Sequence, residues 1–200
     1  MLRKQLRPAV LMTLVLCVIT GVIYPGVVTG LAQLLFNRQA NGSLVRVNGR
    51  VVGSELIGQP FTRPEYFHPR PSAAGNGYDA TASSGTNKGP TDRKLADTLV
   101  GPRTDSLVAG GVPKGSIPTD AVTASASGLD PHISPANAYL QVARIARARG
   151  VDSAAVRRVL DAHVEGRQFG FFGEPRVNVL MVNIALDSSF AAKRTARTAR

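Results

Sequence analysis

PAVLMTLVLCVITGVIYPGVVTGLAQLLF, residues 8–36, contains 29 residues without a single charge. A bilayer core of ~30 Å is crossed by about 20 helical residues, so this run spans it with length to spare. A cleaved signal peptide also has a basic start and an apolar middle, but its apolar core is only about 7–15 residues. Gly30-Leu31-Ala32 supplies a small-residue pattern that keeps this alternative open. Bulky Leu16 before Cys17 argues against a lipidated cysteine. The expectation is an uncleaved anchor. Arg3, Lys4 and Arg7 precede it and only Arg38 follows closely, so the positive-inside bias predicts a cytoplasmic N-terminus and an extracytoplasmic body. Cys17 is the lone cysteine, which excludes an internal disulfide and any Cys-rich zinc site.

Within the span, Gly26, Thr29, Gly30 and Gln33 follow i, i+3, i+4 and i+7 spacing, one face of a helix. Gly26 to Gly30 is a GxxxG, which lets another backbone approach closely in lipid. Thr13, Cys17, Thr20 and Gly21 lie on roughly the opposite side, and Pro25 between the sets is expected to kink the rod. The stripe predicts packing against another membrane protein.

The whole chain has 200 residues and a net charge of +11, from 24 Lys and Arg against 13 Asp and Glu. That basic excess suggests nucleic acid until its distribution is examined. Three basic residues flank the span, and Lys193, Arg194, Arg197 and Arg200 lie in an Ala/Thr-rich tail. The remainder carries +4, without the interleaved stacking aromatics of a single-strand binder. Arg144, Arg147, Arg149, Arg157 and Arg158 read as a solvated helical face. No nucleic-acid partner is expected.

Beyond the span the pattern predicts one small mixed α+β domain. Asn48-Gly49 between Leu44–Val47 and Arg50–Val52 signals a hairpin. Residues 58–92 hold five prolines and five glycines, a density that predicts a long loop region. Its aromatics, Phe61, Tyr66, Phe67 and Tyr78, suggest a loop pinned onto something. Asp92 caps a short helix bearing Leu95, Leu99 and Val100, which Gly101-Pro102 interrupts or kinks. Ser134-Pro135 starts a helix that buries Ala138, Val142, Ile145 and Ala146 and ends at Gly150. Asp152 caps another with Val156, Val159, Leu160 and His163 inward, ending at Gly166. Val177–Val182 reads as a partly buried strand. The expected divisions are 1–7 cytoplasmic, 8–36 membrane helix, 37–187 outer domain and 188–200 a basic flexible tail.

No catalytic constellation survives scrutiny. Ser127, Asp130 and His132 are close in sequence, but triads are assembled by folds, and no G-x-S-x-G or S-x-x-K is present. A turn built from side-chain-to-backbone bonds is the simpler reading. His68, His132 and His163 lack metal-ligand spacing, so no metal is expected. Gly110–Ser116 (GGVPKGS) superficially resembles a phosphate loop but has no Lys between its final Gly and Ser.

Several blocks resemble the C subunit of the potassium-translocating Kdp P-type ATPase: Gln39–Leu44, Gly53–Gln59 and Tyr66–Ala73, with Gln59, Tyr66, Phe67, His68, Arg70, Pro71 and Ser72 among them. So do Thr123–Pro135 (TASASGLDPHISP), with Ser127, Gly128, Asp130 and His132, and Pro175–Leu180 followed by Asn183 and Ala185–Asp187. Tyr24-Pro25 and Thr29-Gly30 match as well, and the likeness covers roughly residues 8–187. The family's usual Ser-Gly-Gly-Ser-Asn-Leu-Gly-Pro stands here as Ser83–Pro90 (SSGTNKGP), which retains Asn87 but places Ser84 and Lys88 where the family has Gly and Leu. Asn37 stands where the family often has proline, and Pro102 falls in a helix that is usually continuous there. The resemblance implies a non-catalytic, single-pass subunit of a bacterial inner-membrane potassium importer. Its partners would be a channel-like potassium-binding subunit, a P-type ATPase subunit and membrane lipid. ATP and K⁺ would be handled by the complex, with no cofactor on this chain. The family is also described as a catalytic chaperone that raises the pump subunit's ATP affinity; the expected topology favours assembly or an indirect effect over direct nucleotide contact. The competing reading is an anchored outer domain that binds a ligand or hydrolyses a substrate alone.

Overall fold

The apolar run forms helix as its composition dictates. A computed structural model describes residues 2–198, with side chains described over residues 4–190. The chain divides into two units, 1–52 and 53–200. In the first, α1 (Leu2–Val18) continues through a π-helical turn, Ile19–Ile23, into α2 (Tyr24–Leu35). Lys4–Leu35, 32 residues, is long and apolar enough to cross a membrane. Pro25 is accommodated by the π-turn just before it, where the Tyr24 N–H donates to the Ile19 carbonyl. The widened turn moves the preceding carbonyls clear of the proline ring. Thr13 and Thr20 return their hydroxyls to the carbonyls four residues back, satisfying themselves within the helix.

A single turn, α3 (Asn37–Ala40), leads to the hairpin of β1 (Leu44–Val47) and β2 (Arg50–Ser54). Asn48 at φ +50° and Gly49 at φ +77° form the predicted turn, both central residues being left-handed.

In the second unit no helix or strand occurs between Ser54 and Ala80. Asp92 Oδ1 accepts the Lys94 N–H, as an N-terminal cap should. The helix that follows is not broken at Gly101-Pro102. A π-helical segment, Leu95–Val100, runs directly into α4 (Gly101–Ala109), and the Gly101 N–H reaches the Ala96 carbonyl. Pro102 is thus absorbed by the same device as Pro25. The short α5 (Thr119–Val122) precedes β3 (His132–Ile133).

Next come α6 (Pro135–Arg149) and α7 (Ser153–Asp161), each capped as expected, by Ser134 accepting from the Asn137 N–H and Asp152 from the Ala154 N–H. α7 stops at Asp161, short of the expected Gly166. The chain instead extends as β4 (Val164–Glu165), which pairs antiparallel with β5 (Arg176–Asn178). β5 is central in the sheet order β3-β5-β4.

The expected strand over Val177–Val182 is corrected at Val179, where α8 (Val179–Thr198) begins. The Asn178 side-chain oxygen accepts the Met181 N–H and starts the helix. Val179, Val182, Asn183 and Leu186 then fall on one buried face at helical spacing. The expected tail boundary at 187/188 lies inside α8; the helix kinks at Phe190, which packs against the core. Phe67, Ile133, Ile145, Val156, Leu160, Val177, Val182 and Leu186 are essentially inaccessible, each worth about 1.5–3 kcal/mol of burial.

Candidate functional site

The segment 123–131 lies as a strap against the loop region 58–85, and the two are joined chiefly through main-chain atoms. The Gly128 carbonyl accepts the Ser72 hydroxyl at 2.7 Å. Ser72 Oγ accepts in turn from the Tyr78 N–H at 2.8 Å and the Ala74 N–H at 3.2 Å, so its hydrogen-bonding capacity is used up. The Ser127 carbonyl takes the Ser84 N–H at 3.1 Å and the Ser83 hydroxyl at 3.0 Å. The Leu129 carbonyl takes the Gly58 N–H at 2.7 Å. Gly128 is required at the centre: its φ is +67°, and a Cβ there would stand 2.6 Å from the Ala74 nitrogen and 2.8 Å from the Ser84 oxygen.

Asp130 closes the clasp. Its Oδ2 accepts from Arg70 Nη1 at 3.0 Å and its Oδ1 from the His132 N–H at 2.9 Å. Burial raises the carboxyl's pKa, but the bonds from His132 and the Arg70 guanidinium prevail and hold it below the usual carboxylate range. The Tyr78 hydroxyl donates to the Arg70 carbonyl, and burial pushes its pKa up to about 12, against a smaller opposing effect of Arg103. It therefore stays a donor at physiological pH.

The predicted residues Arg70, Pro71, Ser72, Ser127, Gly128, Asp130 and His132 therefore share one locality. They do not form a triad. Ser127 Oγ accepts its own chain's Leu129 N–H, whereas His132 Nδ1 lies 3.5 Å from Asp130 Oδ1. That is the turn chemistry expected for a structural strap. Ser84 sits at ordinary negative φ, so the serine imposes no left-handed strain on the loop, and Asn87 instead takes φ +52°. Gly85–Gly89 and Ala124–Ala126 line an adjoining cleft, with Ser125 Oγ buried and without a hydrogen-bond partner.

Tyr66 and Phe67 belong to a second locality, built by side chains whose part in it their local sequence does not announce. Asn183 on α8 accepts the Phe67 N–H at 2.8 Å and donates to the Phe67 carbonyl at 3.0 Å. Gln141 on α6 treats His68 the same way, at 2.7 and 3.1 Å. Arg144 donates to the Pro64 and Tyr66 carbonyls, and Arg149 to the Glu65 carbonyl and to Asp187 at 2.9 Å. The Tyr66 hydroxyl donates to Asp187 at 2.9 Å; burial and that carboxylate raise its pKa. Two of the five arginines assigned to a solvated face thus hold a loop, while Arg147, Arg157 and Arg158 are exposed as expected. Arg149's side chain is only 7% exposed. Gln59 stands apart, donating to the Ser54 carbonyl at 3.4 Å. Asp120, also unread in the sequence, accepts from Ser134 and Asn137 at the start of α6.

In the long apolar helix, Gly26 and Gly30 have no atom within 4 Å of an added Cβ apart from the helix's own backbone. Gln33 Oε1 accepts from the amides of Asn37 and Asn41, both at 3.1 Å, a polar cluster at the end of the apolar run. Among the described residues, no group of three or more His, Cys, Asp or Glu could hold a metal ion.

One helix long and apolar enough to cross a membrane, together with a mixed α+β unit, defines the class of architecture. Residues 6–188 match the family model described as KdpC, K⁺-transporting ATPase, c chain. The chain belongs to this family. It is 60% identical over 198 residues to the potassium-transporting ATPase KdpC subunit of Gemmatimonas aurantiaca, covering 98% of this chain and 99% of that one. The subunit of the same name from Geobacter sulfurreducens is 54% identical over 187 residues, 92% of this chain and 98% of the relative. That of Mycobacterium tuberculosis is 51% identical over 187 residues, 93% and 99% respectively.

Proposed function

We propose that this chain is the single-pass accessory subunit of an ATP-driven potassium import complex of the bacterial inner membrane, and that it has no active site of its own. The observation that carries the reading is the 60% identity to a KdpC subunit over nearly the full length of both chains. Its partners are a channel-like potassium-binding subunit and a P-type ATPase subunit, together with membrane lipid. ATP and K⁺ belong to those partners.

Residues 1–7 lie in the cytoplasm, 8–36 span the membrane, and the extracytoplasmic domain runs from 37 through the core-packed Phe190 of α8. The charge difference across the span supports this orientation. Gly26, Thr29, Gly30 and Gln33 pack the span against a partner helix. The Pro/Gly-rich loop, with Gln59, Tyr66, Phe67, Arg70, Pro71, Ser72 and Asn87, and the strap, with Ser127, Gly128, Asp130 and His132, form a stiff scaffold that displays a docking surface. Any increase in the pump's ATP affinity is conformational, transmitted through the assembly, because the nucleotide binds across the membrane from this domain.

Purification of the tagged chain from cells expressing the whole operon in mild detergent tests the reading. Two larger membrane proteins are expected to accompany it, and Gly26→Leu with Gly30→Leu is expected to reduce their recovery several-fold. Purification of the wild type as a monomer overturns the accessory role. A cysteine placed at Ser84 should react with an impermeant reagent in intact cells; reaction only after lysis overturns the orientation.

A further inference from the structure

The loop joining β4 to β5 carries Gln168-Phe-Gly-Phe-Phe-Gly173 at its middle, a segment that neither the core nor the strap uses. Phe169, Phe171 and Phe172 are 88%, 65% and 57% exposed, and Phe169 is the most exposed large apolar residue among those described. Scattered exposed apolar residues are ordinary, but three aromatics on one tip form a patch.

The tip is built rigidly. Gln168 and Phe172 exchange main-chain hydrogen bonds of 2.9 Å, and the Phe171 and Phe172 rings lie 4.2 Å apart. Phe169 holds φ +52°, a conformation disfavoured for a bulky residue, while pointing a ring at solvent. A phenylalanine that takes this angle and leaves its side chain 88% exposed gains almost no burial in return.

Charge narrows what that is. Arg167 Nη2 binds both Glu174 oxygens, at 2.7 and 3.0 Å, and Arg176 Nε binds Glu165 at 2.9 Å. These four are the only charges between Val164 and Asn178, so the hairpin is neutral and self-paired. It has no free cation for anionic headgroups, and no Trp or Tyr with the polar handle favoured at a bilayer interface. A rigid, neutral, aromatic knob is complementary to an apolar socket in a folded protein, where little ordering remains to oppose binding. Its rings offer on the order of 400 Å² of exposed surface. A standard interface covers about 800 Å² per partner, so the tip has the size of an interface core.

We propose that the Phe169–Phe172 tip is a docking knob that seats in an apolar socket on the extramembranous surface of a sister subunit. This rests on the accessory-subunit reading. The test uses the full chain co-expressed with its sister subunits. Phe169→Gly combined with Phe171→Ser should lower recovery of the sister subunits tenfold or more, without lowering the chain's own melting temperature by more than a few degrees. Phe169→Leu should retain most recovery. A photoreactive benzophenone side chain at position 169 should form an adduct with a sister subunit. Unchanged recovery for the double variant overturns the knob and leaves the accessory role standing, as do adducts confined to lipid or to a second copy of this chain. Failure of the wild type to recover sister subunits overturns the accessory role itself, and the knob with it.

Discussion

The strap at Gly128 and the hairpin tip at Phe169 are both irregular segments held in left-handed backbone, yet they are opposites in every other respect. Around Gly128 the Ser127, Gly128 and Leu129 carbonyls each meet a donor, and the residue that takes the unusual angle is one that tolerates it. At the tip the unusual angle falls on a phenylalanine, and the ring it projects touches water. Unusual backbone surrounded by satisfied polar groups serves the fold. Unusual backbone that presents apolar surface serves an encounter.

Breaking the strap should have the largest effect. Gly128→Ala adds a left-handed penalty of roughly 1–2 kcal/mol and forces packed main chain apart, so about 3 kcal/mol of stability should be lost, read by thermal unfolding of the detergent-solubilised chain. Asn183→Ala should cost about 2–3 kcal/mol by the same assay, because it leaves the buried Phe67 N–H and carbonyl without partners.

The Arg70–Asp130 pair supplies a finer probe. Its folded carboxyl pKa lies below the unfolded value of about 3.9, so the stabilisation is present above that pH and is lost as pH falls through the folded pKa. Asp130→Asn should cost about 1–2 kcal/mol at neutral pH and should flatten the stability profile below pH ~4. The smallest effect belongs to the other side of the comparison. Phe169→Gly should leave stability unchanged or improve it by up to about 1 kcal/mol, since it relieves backbone strain and removes no core contact. A large loss there would assign the tip to the fold and erase the contrast.

Local chemistry made much of the molecule legible in advance. The Asn48-Gly49 turn, the Ser134 and Asp152 caps and the buried faces of α6 and α7 follow from residue type and spacing alone. The failures have specific causes. A run such as Val177–Val182 has no periodicity that separates strand from helix, and the decision fell to Asn178, whose side chain starts α8 while its main chain ends β5. At Gly101-Pro102, where an interruption or a kink was expected, the helix is not interrupted; a π-helical segment precedes Pro102 as one precedes Pro25, and residue type alone did not announce either. The strap residues were recognisable as a group through family resemblance, although nothing local revealed that Ser72 and Gly128 meet across 56 positions.

By itself the sequence determined the apolar span, its flanking charges, the turns and caps, and the family, because these depend on composition, on neighbours within four residues and on long matched blocks. Only the tertiary structure decided that Asn183 and Gln141 grip the Phe67 and His68 peptides, that Arg144 and Arg149 hold a loop, and that the three phenylalanines stay outside. Those assignments depend on which groups far apart in the chain can satisfy one another's hydrogen bonds or exclude water together, and spacing along the chain carries no record of that.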